Sequence, residues 1–386
     1  MEGKEYMHRL VISTVGTSLL TNQIDTEFEP DWTKDLQNTA HLTEDEIKFY
    51  PDPEVARTIS TLKSRAETKL SEGNILEIRE TSAELNGIYG LYGDKIEQGK
   101  EDIHWLIATD TAQGQTTAKI VEKFIKSKEL VNTSIYTPPG LSTANTKKFS
   151  EGIDDLLVWL RKQIKSLKGY TVYFNLVGSF KSLQGYMNTI GMFYANEIIY
   201  IFEGKQSELI TIPRLPIKVD ESLLQPHAAK LARMDAGAGL SSSDVVSIPE
   251  ALIGDCDGKK VLSTWGQLIW NECKEKLLSQ ELLEFPRLQY ADTFRADYNK
   301  INNEKEKAEL QQDLAKVSNF LNESNGDTKI LGKPFDYYPY QGLDKVDHFR
   351  VNRSLRISCK VVAGGNLSLR FYGTHNHVER SEKRLK

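Results

Sequence analysis

His348-Phe-Arg-Val-Asn-Arg-Ser-Leu-Arg-Ile-Ser-Cys-Lys-Val-Val362, a Gly364-Gly365 turn, then Asn366-Leu-Ser-Leu-Arg-Phe-Tyr-Gly-Thr-His-Asn-His377 alternate in character residue by residue. Phe349, Val351, Leu355, Ile357, Cys359 and Val361 fall on one side of the pattern, and His348, Arg350, Arg356, Ser358 and Lys360 on the other. After the turn, Leu367, Leu369 and Phe371 continue the apolar set, and Ser368, Arg370 and Tyr372 the polar one. Alternation with period two predicts an antiparallel sheet that lays one face on a core. Every charged residue on the second face is basic. From Leu343 onward ten Lys and Arg stand against four Asp and Glu, a charge of +6 that leaves −11 for the rest of a −5 chain. Three of the seven histidines lie here as well. A basic, aromatic-flanked sheet on an acidic protein points to a polyanion, with nucleic acid first.

The residues leading into this sheet complete an α+β unit over 285–386. Arg287 to Thr293 reads as a strand, and Ala291 to Asn302 and Glu304 to Asn322 as helices, the second with Leu310, Leu314, Val317 and Leu321 on one face. A tyrosine-rich loop, Phe335-Asp-Tyr337-Tyr338-Pro-Tyr340, connects them to the basic strands. Upstream, 214–284 reads as a small connector of winged-helix type. It has a helix over Lys218 to Gly239, a hairpin turn at Asp257-Gly258, and a helix over Trp265 to Leu278. Glu250, Asp255, Asp257 and Lys259 read as turn chemistry, because Asp-Gly is a turn dipeptide. His104 and His227 read as structural.

Residues 1–213 carry a third pattern. Short apolar strands at Leu10–Val15, Trp105–Ala108, Ser134–Tyr136, Thr171–Leu176 and Ile198–Phe202 alternate with helical stretches such as Thr117–Lys126, Phe149–Leu167 and Ser182–Tyr194. That order predicts an α/β domain with a parallel sheet and helices on both faces. Ligands of such sheets lie beyond the carboxyl ends of the strands, which here carry glycines and small polar residues. No G-x-G-x-x-G follows the first strand, which disfavours a dinucleotide cofactor. Asp25 to Tyr50 reads as an acidic, aromatic surface excursion.

At 386 residues the chain suits two or three domains. No apolar run approaches the ~20 residues that span a bilayer, and the opening Met-Glu-Gly-Lys-Glu does not read as a signal peptide. Cys256, Cys273 and Cys359 match no zinc spacing and read as reduced thiols. The expectation is a cytoplasmic protein with no membrane partner, no bound metal and no cofactor.

Val15-Gly16-Thr17-Ser18-Leu19, Thr109-Asp110-Thr111 and Asn175-Leu-Val-Gly178-Ser179-Phe180-Lys181 together resemble the pattern of CRISPR-associated Rossmann-fold (CARF) domains over roughly residues 8 to 205. The resemblance implies a Rossmann-like sensor that forms a homodimer and binds a cyclic oligoadenylate, cyclic tetra-adenylate or hexa-adenylate, as allosteric activator. By position it implies that Gly16, Thr17 and Ser18 hold phosphate and ribose. Thr109, Asp110, Thr111 and Gln113 would line an adenine pocket, and Gly178, Ser179 and Lys181 would close the ring from below. The family more often has a second glycine where this chain has Ser179.

The C-terminal segment resembles the RelE-type toxins. Phe371-Tyr-Gly373-Thr374-His375-Asn376-His377 looks like the Gly-Thr-His motif of their HigB-like branch, and Phe349-Arg350 with Leu355-Arg356 like the paired basic positions of their central sheet. This resemblance implies cleavage of mRNA on the ribosome. Family members often carry a tyrosine near the C-terminus, where this chain has Glu379-Arg380-Ser381. Metal-free cleavage through the RNA 2′-hydroxyl needs a neutralised phosphorane and a proton acceptor and donor. Arg350 and Arg356 are assigned to the phosphate, His375 to acid or base with His348 assisting, and Arg353, Lys360, Arg370 and His377 to RNA binding. Tyr337, Tyr338 or Tyr340 could stack on a displaced base. Arg370 and His375 also have the R-x4-H spacing of the HEPN ribonucleases, which place both on one helix. A CARF-HEPN ribonuclease acting on free RNA is therefore one alternative, and a non-enzymatic nucleic-acid-binding regulator another.

Overall fold

The computed structural model describes residues 8–202, 208–340, 343 and 345–385. The chain forms two compact units, Met1–Ile217 and Lys218–Lys386.

In the first unit, strands β1 (Arg9–Thr14), β2 (Ile103–Ile107), β3 (Thr133–Tyr136), β4 (Thr171–Asn175), β5 (Glu197–Ile201) and β6 (Leu209–Pro213) form one sheet in the order β3-β2-β1-β4-β5-β6. The first five are parallel and β6 pairs antiparallel with β5. Leu10, Val11 and Ile12 are all fully buried, so β1 is covered on both faces, which is why it reads as an unbroken apolar run. The sheet is the expected Rossmann-like one with an added edge strand. β6 escaped the sequence reading because its side chains are mostly exposed and it ends in a proline.

Asp25 to Tyr50 is a correction. It holds helices α1 (Pro30–Thr39) and α2 (Glu44–Lys48), and Leu36 and Ile47 belong to the core with Leu62 of α3 (Pro53–Glu72). Several of its acidic residues sit at helix starts: Pro30 opens α1 with Asp31 in its first turn, and Thr43 with Glu46 makes a capping box. The covering helices continue with α4 (Ala83–Leu91), α5 (Ala112–Ser127), α6 (Thr146–Ser166) and α7 (Lys181–Tyr194).

The second unit has one main core. Leu231 of α8 (Ala228–Asp235) and Trp270 and Leu277 of α9 (Thr264–Ser279) pack in the same cluster as Phe294 of α10 (Asp292–Asn299) and Leu314 of α11 (Glu304–Glu323). The helix expected from Lys218 begins only at Ala228, behind two 3-10 turns. Pro226 lacks the amide that a continuous helix needs. The hairpin β7 (Ile253–Cys256) and β8 (Lys259–Leu262) turns at Asp257 and Gly258, both with positive φ.

The main sheet of this unit joins β9 (Leu288–Tyr290), β10 (Tyr338–Pro339), β11 (Asp347–Arg350), β12 (Leu355–Val362) and β13 (Asn366–Thr374) in the order β10-β11-β12-β13-β9. Phe349, Ile357, Cys359, Leu367 and Leu369 face the core as the alternation requires. The register then shifts: Ser358 pairs with Phe371 and Cys359 with Leu369, leaving Arg370 in a bulge. One extra residue reverses everything after it. Tyr372 therefore joins the main core, and Phe371 sits in a separate small cluster with Tyr340, Leu343, Val346 and Val378. Val378 comes from α12 (His375–Arg384), so the face that reads as open and basic is partly covered by a terminal helix. Among the described residues no helix is long and apolar enough to cross a membrane.

His104 of β2 is fully buried, with its Nε2 3.1 Å from the Tyr92 hydroxyl, and burial pushes its pKa down to about 3. The folded protein keeps it neutral while the unfolded chain protonates it near pH 6.5, so stability is lost as pH falls from 6.5 toward 3. Urea titrations should show about 2 kcal/mol lost to this group at pH 5, and His104→Gln should flatten that part of the profile.

Candidate functional site

In the first unit the strand order reverses between β1 and β4, the place where open parallel sheets bind ligands. A cavity of about 370 Å³ opens there. Gly16, Thr17 and Ser18 line it from the loop after β1, Thr109 and Thr111 from the end of β2, and Gly178 and Ser179 from the loop after β4. The two loops nearly touch, since a Cβ at Gly16 would come 2.8 Å from the Ser179 backbone nitrogen. Ser179 holds φ at +129°, a glycine conformation, and its buried hydroxyl has no partner among the described residues. The backbone thus keeps the geometry of the glycine that the resemblance led one to expect.

The other three residues assigned to this ligand lie elsewhere. Asp110 faces a neighbouring cavity of about 360 Å³ with Gly140 and Lys148. Gln113 is buried, and its amide donates to the Leu36 carbonyl at 2.8 Å, tying α5 to α1. Lys181 begins α7, exposed and outside the residues that line the cavity. Thr111 caps α5 by accepting from the Gly114 amide at 3.1 Å. The Gly16 amide is also engaged, donating to Glu84 Oε1 at 2.6 Å. Glu84 passed unnoticed in the sequence, where it looks like an ordinary first-turn acid of a helix.

In the second unit Arg350 pairs directly with Arg356 across β11 and β12, and Arg356 with Gly373 across β12 and β13. Directly opposed residues share a face. His348, two residues from Arg350, lies on that face with its ring 4.2 Å from the Tyr340 ring. The Tyr340 ring is in turn 6.3 Å from that of His375. Burial, and then the nearby Arg356, His375 and Arg350, hold the His348 pKa below the ordinary imidazole value. The four residues assigned to chemistry therefore form one cluster. His375 is half exposed at the first position of α12.

Their charges are matched unequally. Arg350 pairs with Asp336 at 3.0 Å, and His375 lies 3.7 Å from Glu379. The Arg356 side chain makes no hydrogen bond or ion pair with any described residue. A guanidinium without a carboxylate partner among the described residues, close to His348, favours an anion.

The residues assigned to RNA binding divide. Arg353 is exposed in the turn between β11 and β12, and Lys360 is partly exposed on β12. Arg370, at the bulge, is covered by α12. Its Nε and second guanidinium nitrogen donate to Glu382 at 2.8 and 3.0 Å, and the Ser358 hydroxyl also donates to Glu382 at 2.8 Å. This buried pair fastens α12 to the sheet. It leaves Arg370 on a strand and His375 on the helix after it, not together on one helix. His377 Nε2 lies 3.1 Å from Asp297 Oδ2, a partner that no sequence signal marked. Tyr337 donates to Asp347 at 2.7 Å and Tyr340 is 7% exposed, so of the three tyrosines Tyr338 is the one open to a base. Among the described residues no three His, Cys, Asp or Glu side chains converge as a metal site requires.

Residues 79–215, from before α4 to the end of β6, match the model of a family described as CRISPR-associated protein (Cas_APE2256). This part of the chain is similar to a CRISPR-associated protein. No curated protein matches the chain.

Removing the carboxylate in Glu382→Ala strands the Arg370 guanidinium and unfastens α12, for a loss of about 3 kcal/mol in chemical denaturation. The apolar pair Arg370→Met with Glu382→Leu should recover most of that loss.

Proposed function

We propose that this chain is a ligand-switched endoribonuclease of type III CRISPR immunity. A cyclic oligoadenylate, tetra- or hexa-adenylate, binds at the strand tips of a homodimer and releases cleavage of mRNA on the ribosome. The family match over 79–215 supports the CRISPR association. The observation that carries the enzymatic half is the Arg356 side chain, unpaired among the described residues and close to His348, with Arg350 opposite it.

The chemistry follows from that arrangement. With a scissile phosphate on Arg356 and Arg350, two guanidinium groups offset the charge that grows on the phosphorane, commonly the largest catalytic contribution. His348, held below the ordinary imidazole pKa by burial and by Arg356, is neutral near pH 7 and takes the proton from the 2′-hydroxyl. The 2′-oxygen bonds to phosphorus as the bond to the 5′-oxygen breaks, and His375 as general acid supplies the leaving oxygen with a proton. The products are a 2′,3′-cyclic phosphate and a 5′-hydroxyl. Arg353, Lys360 and the exposed Tyr338 would guide the RNA, while Arg370 would act through the fold and no longer as an RNA contact.

The test is incubation with translating ribosomes, with and without cyclic tetra-adenylate, mapping cuts by primer extension. Cuts should require both the ligand and translation. Arg356→Gln and His375→Ala should each lower the cleavage rate at least about 100-fold while RNA affinity changes modestly. Ligand-dependent cutting of free RNA would favour the HEPN alternative. Binding without any cleavage would leave a regulator.

A further inference from the structure

Glu84 lies at the start of α4, fully buried, directly beneath the two loops that line the strand-tip cavity. One oxygen, Oε1, accepts from the Gly16 amide at 2.6 Å, and the other, Oε2, from the Ser82 hydroxyl at 2.8 Å. Oε1 also fills the space beside Gly178, where any Cβ would overlap it. The Asn175 side chain at the end of β4 donates to the Glu84 backbone carbonyl at 3.0 Å and to Ser13 at 3.0 Å. One acid thus joins the loop after β1 to the loop after β4, and both loops line the cavity.

We propose that Glu84 is the positioning residue of this cavity and that a polyanion binds there only with Glu84 neutral, so that binding takes up a proton. The proposal rests on the reading that the cavity takes a phosphate-bearing ligand. A carboxylate one backbone layer beneath bound phosphates repels them through a medium that screens poorly. Burial already pushes the Glu84 pKa above the ordinary carboxyl value. The groups facing it are the Gly16 amide, its own amide and the Ser82 hydroxyl, and no charged side chain among the described residues bears on it. Adding the proton to Oε2 keeps both contacts: Oε1 still accepts from Gly16, and the new O–H donates to Ser82 Oγ, whose own hydrogen turns away. The loops stay in place and the negative charge is gone.

Calorimetric titration of the full-length protein with cyclic tetra-adenylate, in two buffers of different ionisation enthalpy, measures the protons taken up. Wild type should take up a net fraction of a proton per site in the pH range where Glu84 of the free protein is ionised. Its affinity should fall up to tenfold per pH unit above the Glu84 pKa. Glu84→Gln keeps the acceptor for Gly16 and a donor for Ser82, so it should bind with an affinity that is flat across this range and without uptake at this position. His41 lines the neighbouring cavity, and uptake should persist in His41→Gln. Wild-type binding with no uptake at any pH, or uptake that survives in Glu84→Gln, overturns the proposal and leaves the ligand reading standing. Absence of binding overturns both. The wild-type proton count decides even if the Gln variant does not fold.

Discussion

The C-terminal half depends on one buried ion pair. Arg370, displaced from the strand alternation by a bulge, closes on Glu382, and Ser358 completes the contact from the neighbouring strand. Two long side chains of opposite charge and a hydroxyl satisfy one another in a site where each alone would be costly. The pair pins α12 to the sheet. The helix begins at His375, so pinning its far end fixes where that imidazole stands relative to His348 and Arg356. Val378, one turn before Glu382, adds the apolar contact with Phe371 and Tyr340.

The same pair sorts the positive charge of the sheet. A run of arginines on one face repels itself, and the structure spends carboxylates to relieve it: Glu382 on Arg370 and Asp336 on Arg350. His377 lies against Asp297 and His375 near Glu379. Arg356 has no carboxylate partner among the described residues and lies near His348 and opposite a second guanidinium, an arrangement that favours an anion. In the N-terminal half the logic is reversed. There a single buried acid, Glu84, ties together loops that otherwise present amides and hydroxyls.

Much of this was legible in the residues. The run Leu10 to Val15 read as a short apolar strand of a parallel sheet, and Arg9–Thr14 is such a strand, covered on both faces. The alternation from Phe349 to Cys359 placed Arg350 and Arg356 on a common face, where the pairing puts them. What was not legible depended on one-residue events or on contacts distant in sequence. A bulge leaves no mark in a period-two pattern, so Phe371 was assigned to the wrong face and Arg370 to solvent. His375 to Arg384 looks like a polar tail, because its buried side consists of one valine and one glutamate. Asp25 to Tyr50 was read by its charge, although Pro30 and the Thr43–Glu46 capping box announce two helices. Gln113 and Glu84 are buried by partners 77 and 68 residues away, and spacing alone does not carry that information.

The proposed chemistry is the breaking of a phosphodiester by guanidinium and imidazole groups. The chemical identity of the cut ends tests this most directly. RNA cleaved by the wild-type protein with cyclic tetra-adenylate and translating ribosomes should carry a 2′,3′-cyclic phosphate, or the 3′-phosphate from its opening, and a 5′-hydroxyl. A 3′-hydroxyl with a 5′-phosphate would show that water or a metal hydroxide attacks instead, and would contradict the roles given to Arg356, His348 and His375.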